Sequence, residues 1–326
     1  MLYPLTFQPI FKERVWGGRN LEKLYSKPLP AGVTVGESWE ISDRPGDASV
    51  ITNGPLAGRD LRWLVENHQE ELLGHAKLEH DRFPLLVKIL DAQEKLSLQV
   101  HPPGRMTIAT GGDPKTEMWY IADAAPGAEL YVGLKRGVTK AEFERKIQDG
   151  SVADCFHRVP VKPGDAMFLP SGRVHAIGAG LVIFEIQQNS DTTFRVFDWN
   201  RVGLDGRPRE LHVAQSLASI DFNDFEPALV QSSFAGDASV QRRPLVRDPL
   251  FVVDTWQLGK GAGGQLKSGR LQIVACLTGR LQVHSSGMSV GLMPGQFCLL
   301  PASLKTAGVE AGEASSMLRA EAGHSS

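Results

Sequence analysis

A glutamine and a histidine sit two residues apart in Leu96-Ser-Leu-Gln-Val-His-Pro102, a run of strand-like composition. Alternate residues of a strand point to one face, so Gln99 and His101 share a surface. Glu117 opens the next predicted strand and His175 opens a later one. In a closed or sandwiched sheet, side chains from neighbouring strands converge on one interior point. Two imidazoles, one carboxylate and one amide oxygen make a mixed N/O site that suits zinc, and less selectively manganese, iron or cobalt. The competing reading of any one histidine is a hydrogen-bonded structural residue. That reading is adopted for His68, His75, His80, His157, His212, His284 and His324, which have no partner at ligand spacing.

The elements that must position these residues read as strands. Short apolar runs at Val35–Ser42, Phe83–Leu90, Leu96–Val100, Met118–Ala122, Ala128–Val132, Ala166–Leu169 and Leu181–Gln187 lie between glycines and prolines. Such spacing predicts a β sandwich or barrel, and the absence of strand–helix alternation argues against a doubly wound sheet. Helices are expected at Leu61–Leu73, after the capping-box sequence Thr139-Lys-Ala-Glu142 with Gly150 as its stop, and at Leu211–Ile220. The segment Pro163-Gly-Asp-Ala-Met-Phe-Leu-Pro-Ser171 is similar to Pro294-Gly-Gln-Phe-Cys-Leu-Leu-Pro-Ala302, and each follows a strand–turn–strand passage. This predicts two copies of one β module. Five residues beyond the second proline stands His175 in the first copy and Thr306 in the second, so the second copy lacks that ligand. The expected division is 1–235, carrying the site and the helical insertions, and 236–326, a degenerate module without metal ligands. The Ala-, Ser- and Glu-rich tail Gly312–Ser326 is expected to fray.

Composition excludes several classes. The 326 residues carry 35 Lys and Arg against 37 Asp and Glu, a net charge of −2, without the basic surplus that marks nucleic-acid binders or polybasic anchors. Hydrophobic residues at 42% and charged residues at 22% are ordinary globular usage. The apolar runs fall short of a membrane span, and Met1-Leu-Tyr-Pro-Leu-Thr-Phe7 lacks the basic start and apolar core of a signal peptide. Cys155, Cys276 and Cys298 are odd in number and widely spaced, which reads as reduced thiols in a cytoplasmic protein. No nucleic-acid or membrane partner is expected, and oligomeric state is left open.

Taken in order, the motifs resemble those of the cupin superfamily, and within it the type I mannose-6-phosphate isomerases in their short bacterial form. Ser97-Leu-Gln-Val-His101 is similar to the motif that supplies the family's first two metal ligands, and Lys115-Thr-Glu117 to its Lys-x-Glu motif. His175-Ala-Ile177, Gly180, Glu185, Asn189-Ser-Asp191 and Arg195 resemble its long signature, from the last metal histidine to the catalytic arginine. Weaker matches lie at Arg14-Val-Trp-Gly-Gly18, Gly36-Glu-Ser-Trp-Glu40 and Phe83-Pro-Leu-Leu-Val-Lys-Ile-Leu90. The chain departs after Arg195, where Val196-Phe-Asp-Trp-Asn-Arg201 replaces a family segment whose lysine helps hold the substrate phosphate. Arg201 is the candidate substitute, since a guanidinium can bind phosphate bidentately.

The resemblance implies a mainly β fold of two cupin jelly-roll modules and an aldose–ketose isomerase interconverting mannose 6-phosphate and fructose 6-phosphate through an enediol. It implies Zn2+ or another divalent transition metal on Gln99, His101, Glu117 and His175, a sugar phosphate bound through Ser97, Lys88 and Arg201, and chemistry on Arg195, Lys115 and Glu185. Lys115 is expected either as a base with a pKa lowered by desolvation or as a donor to sugar oxygens, and Glu185 as a proton carrier. Trp16, Trp39, Trp119 and Trp199 are expected in the core or the pocket wall. Three rivals remain: an isomerase of an unphosphorylated sugar, a cupin oxygenase, and a non-catalytic sugar-binding cupin.

Overall fold

The computed structural model describes residues 2–285 and 287–323, so His324 lies outside the described residues. Four large antiparallel sheets carry the chain. The first has six strands in the spatial order Ile10–Gly18, Val35–Ile41, Leu85–Ala92, Leu181–Gln188, Glu117–Ala124 and Ala166–Leu169. Facing it is a five-stranded sheet of Phe194–Phe197, Leu98–Val100, His175–Ile177, Glu129–Leu134 and Phe156–Pro160. A second six-stranded sheet runs Ala235–Gly236, Val240–Arg247, Phe251–Leu258, Ser315–Ala322, Gln272–Thr278 and Phe297–Leu300. Its companion has four strands, Gly263–Leu266, Ala307–Ala311, Leu281–Ser285 and Met288–Leu292. Strand for strand the C-terminal order repeats the N-terminal one, without a counterpart to Phe194–Phe197.

Each expected strand overlaps one of these elements, with its ends within two residues of the observed ones. Helix Leu61–Leu73 starts where the Asp60 carboxylate accepts the Trp63 amide at 2.7 Å. Helix Lys140–Asp149 is capped by Thr139 Oγ1, which accepts the Glu142 amide at 3.2 Å, and ends at Gly150 with φ +80°. The third expected helix is shorter, Val213–Ser219. Two short helices, Asn20–Tyr25 and Thr107–Thr110, carry no sequence signal strong enough to predict them.

The tail does not fray where it is described. Ser315–Ala322 is a central strand, paired on one side with Phe251–Leu258 and on the other with Gln272–Thr278. Its composition misleads because Met317, Leu318, Ala320 and Ala322 are small or apolar enough to fill both faces of a buried strand. At the expected division, strand Ala235–Gly236 pairs with Val240–Arg247, and both belong to the second six-stranded sheet.

The central strands of both six-stranded sheets are buried on both faces, and this organises the core. Val87, Ile89, Val182, Phe184 and Ile186 of the first meet Phe251, Val253, Ile273, Phe297, Leu299 and Leu318 of the second in one cluster. Phe184 stacks on Phe297 with ring centroids 5.5 Å apart. By the two-residue strand period, Lys88, Leu90, Ile183 and Glu185 point the other way, into the space between the first sheet and its five-stranded companion. Each Pro-Gly turn of the internal similarity is held by a cation distant in the chain. Lys27 Nζ donates to Gly295 O at 3.0 Å, and Arg243 Nη1 donates to Gly164 O at 2.7 Å.

Candidate active site

Three strands bring the predicted ligands together. His175 pairs with Gln99 across the five-stranded sheet, and Glu117 sits opposite Gln187 and Leu169 in the sheet that faces it. His101, Glu117 and His175 are all fully buried, and one potential ligand atom from each lies within 4.8 Å of the others. His101 Nε2 is 3.5 Å from one Glu117 oxygen, and His175 Nε2 is 3.3 Å from the other. The Gln99 amide reaches His175 Nε2 at 3.3 Å.

The outer nitrogens fix how the rings present themselves. His101 Nδ1 lies 2.8 Å from Thr192 O, and His175 Nδ1 lies 2.9 Å from Arg173 O. A carbonyl accepts only, so each Nδ1 carries the proton and each Nε2 turns a lone pair inward, the arrangement of metal-ligating imidazoles. Among the described residues, His101 Nε2 and both Glu117 oxygens make no hydrogen bond, although Lys115 Nζ lies 3.2 Å from one of those oxygens. Buried polar atoms without partners are rare, and a cation among them would satisfy all three. The donor set therefore fits a divalent transition metal.

Electrostatics agree with that fit. Burial drives the His101 pKa down to about 3, with Lys115 adding to the shift against the pull of Glu117, so the imidazole is neutral. His175 is likewise lowered, mainly by burial. Burial pushes Glu117 up, but Lys115 and then His101 outweigh it, and the carboxylate sits well below its usual range. Lys115 does not become the low-pKa base that desolvation alone would make it. Burial lowers it, but Glu117 at 3.2 Å, then Glu185 and Asp191, raise it further, so it remains an ammonium.

The cluster lies directly behind a cavity of about 550 Å³, a common size for small-molecule sites. Gln99 and Lys115, which contact the cluster, line this cavity, as do Ser97, Lys88, Glu185 and Arg195. Arg195 is placed by its pairing with Gln99, and its backbone amide donates to His212 Nδ1 at 3.2 Å. Glu185 accepts from Trp119 Nε1 at 2.9 Å, while its other oxygen lies 3.3 Å from Lys88 Nζ. Burial, then Glu117, raises the Glu185 pKa against the opposing pull of Lys115 and Lys88. Trp16 and Trp119 form part of the wall, whereas Trp39 lies beneath Lys88, with Nζ 5.1 Å from its ring centroid.

Arg201 is the expected site residue that the structure does not bring to the cavity. Its guanidinium donates to Asp198 at 2.8 Å and faces Glu94 at 3.6 Å, and it is not among the lining residues. Sequence reasoning passed over Arg14, Glu37 and Arg209, which do line the cavity. Arg14 and Glu37 had a signal, since both stand inside the weaker motif matches. Arg209 had none, because only the fold of the 198–209 loop brings it back to the rim.

Paired antiparallel sheets around a buried two-histidine, one-glutamate cluster define a cupin-like β protein with a candidate metal centre. Residues 5–118 match the family described as phosphomannose isomerase type I, catalytic domain. A mannose-6-phosphate isomerase of Streptococcus mutans is 36% identical over 94% of this chain and 95% of its own length. The mannose-6-phosphate isomerase ManA of Bacillus subtilis is 37% identical over 92% of this chain and 94% of its own. The crystal structure of the mannose 6-phosphate isomerase from Bacillus subtilis superposes with a TM-score of 0.88 at 30% identity, covering 98% of this chain and 99% of that one. The chain belongs to the type I phosphomannose isomerase family.

Among the described residues no helix is long and apolar enough to cross a membrane.

Proposed function

We propose that the chain is a metal-dependent mannose-6-phosphate isomerase, interconverting mannose 6-phosphate and fructose 6-phosphate. The observation that carries this is the buried His101–Glu117–His175 cluster, whose inward atoms make no hydrogen bond among the described residues, set against a cavity lined by cations and carboxylates. Gln99, His101, Glu117 and His175 are the proposed ligands of Zn2+ or another divalent transition metal. When bound, such an ion supplies Lewis acidity toward the O1 and O2 oxygens.

The chain's own residues do the rest. Isomerisation moves a proton from C2 to C1 of the open-chain sugar, and negative charge grows on the oxygens in between. Arg195 and Lys115 are proposed to face those oxygens as permanent cations, which favours the transition state over the neutral substrate. Glu185 is proposed as the proton carrier, and its raised pKa supports this because a carboxyl poised nearer neutrality can both take and return a proton. Trp119 Nε1 and Lys88 Nζ hold its two oxygens from either side. Ser97 and Lys88 are proposed to bind the sugar phosphate.

The proposed division into two cupin modules, 1–235 and 236–326, is supported by the repeated strand order. The N-terminal module would act and the C-terminal one would buttress it. Three free, buried cysteines support a cytoplasmic setting.

The test is a coupled assay of mannose 6-phosphate to fructose 6-phosphate on chelator-stripped protein. Activity should be lost on stripping and return with zinc. Absence of activity with every divalent metal, from folded protein, would overturn the proposal.

A further inference from the structure

The cations around the cavity are not equally neutralised. Arg14 Nε donates to Glu37 at 2.9 Å, Lys88 lies between Glu185 and Glu37, and Lys115 is paired with Glu117. The rim formed by residues 195–209 differs. There Arg201 and Arg209 share one buried carboxylate, Asp198, with Arg195 close by, and among the described residues Arg195 makes no ion pair. Arg195 Nη1 donates to Glu210 O, at 2.8 Å, and its buried Nε has no hydrogen-bond partner among the described residues. Asp198 accepts from Arg209 Nε at 2.7 Å on one oxygen and from Arg201 Nη2 at 2.8 Å on the other. Glu94, which faces Arg201, and Glu210 are both largely solvent-exposed. Asp191 and Asp205 also line the cavity, but neither forms an ion pair with Arg195 or Arg209 among the described residues.

The positive charge is crowded as a result. Three guanidinium groups, of Arg195, Arg201 and Arg209, stand around the single Asp198 carboxylate and repel one another. A dianion seated here would relieve that repulsion. The loop is also built rather than loose. Trp199 and Asn200 both hold left-handed backbone, φ 56° and 55°, and Trp199 Nε1 donates to Leu96 O at 2.7 Å. Two consecutive non-glycine residues in this region cost conformational energy and persist only where the surroundings enforce them. The anchor is Leu96, the neighbour of Ser97, and both line the cavity.

We infer that Arg209, aimed by Asp198, recognises the phosphate dianion of the substrate at the cavity rim, while Arg201, turned to Asp198 and Glu94, locks the loop. This inference rests on the sugar-phosphate reading above. It makes Arg209 a specificity residue and Asp198 a positioning residue. A guanidinium with one edge held by a carboxylate still presents further N–H donors to a second anion.

The experiment compares Arg209→Ala, Arg209→Lys, Asp198→Asn and the same-loop charge control Arg207→Ala in the zinc-loaded full chain. For Arg209→Ala, KM for mannose 6-phosphate should rise roughly 10- to 100-fold, the loss of a charge-assisted hydrogen-bonded pair, with kcat within about 3-fold. Activity toward unphosphorylated mannose, where measurable, should be unchanged. Asp198→Asn should move KM in the same direction by less, Arg209→Lys should fall between wild type and Arg209→Ala, and Arg207→Ala should do nothing. Calorimetric titration of metal-free protein with inorganic phosphate gives a readout independent of turnover, and Arg209→Ala should lose that binding. An unchanged KM in a folded Arg209→Ala with undiminished phosphate binding would overturn the inference, as would an equal loss on both sugars. Failure of the wild type to turn over mannose 6-phosphate would instead overturn the proposed function, and the phosphate titration would still decide for or against Arg209.

Discussion

The two six-stranded sheets place different chemistry at matching points of one register. In the first, Glu117 lies opposite Leu169 and Gln187, and Glu185 opposite Lys88. In the second, Gln272 lies opposite Leu300 and Glu321, and Arg319 opposite Asp254. The lysine–glutamate pair of one is thus an aspartate–arginine pair in the other, and the carboxylate of Glu117 becomes an amide. What differs most is completeness. Arg319 donates to both Asp254 oxygens, to Gln272 at 2.9 Å and to Glu321 at 3.1 Å. Beyond this network the space between the C-terminal sheets is packed with Trp256, Val274, Cys276, Val283, Cys298, Leu300, Val309 and Met317. The N-terminal interior instead leaves His101 and Glu117 with unsatisfied atoms beside a cavity. The same scaffold is closed where polar groups satisfy one another and open where they do not. Unsatisfied buried groups cost stability, so a site is tolerated only where the rest of the fold supports it.

The largest effect expected from this contrast is on turnover. His175→Ala should lower kcat for mannose 6-phosphate by at least about 10³-fold, while Thr306→Ala, at the matching point of the repeat and exposed, should stay within about 3-fold. Comparable losses in a coupled assay would break the contrast. The second test reads stability. Arg319→Met should destabilise the chain by about 3 kcal/mol in denaturant titrations, because it removes the guanidinium that pairs with the half-buried Asp254 carboxylate and one of the partners of Glu321. Activity of the molecules that remain folded should be kept. Lys88→Met should do the reverse, with activity falling more than stability. If Lys88→Met proves the more destabilising and the less damaging, the open and closed assignments are wrong.

The smallest expected effect concerns pH. Burial raises Glu37, but Lys88, Arg14 and the Trp39 N–H outweigh it and bring its pKa from 4.5 down to about 2. A carboxylate with a depressed folded pKa contributes its stability in full above the unfolded value. That contribution is lost as pH falls from about 4.5 toward about 2. Glu37→Gln should therefore flatten the stability–pH curve in that acid window and leave its slope above pH 5 unchanged. An unaltered acid limb in the variant would show that the Arg14–Glu37–Lys88 chain does not bear on folding.

Legibility in the sequence followed how local each signal was. Gln99 and His101 declared a shared face by strand period, and the Pro-Gly repeat announced the strands Ala166–Leu169 and Phe297–Leu300. Thr139 and Gly150 marked a helix through chemistry confined to one turn at each end. The tail strand Ser315–Ala322 was hidden because alanine and serine carry little period-two contrast. Arg201 looked suited to phosphate by residue type, but the turn at Trp199 and Asn200 directs its guanidinium to Asp198 and Glu94. Lys115 looked like a base by burial alone, yet its charge is held by a carboxylate two residues on.

By itself, then, the sequence determined the strand-rich class, the two copies of a strand motif and, in His101, Glu117 and His175, three residues whose donor atoms suit a metal. These are consequences of residue type and short-range periodicity. Tertiary structure alone decided which cations meet the cavity, which carboxylate neutralises which guanidinium, and which of two similar interiors is left open. Those depend on contacts between residues far apart in the chain, where a few ångströms separate an ion pair from a free charge, and no local pattern encodes that distance.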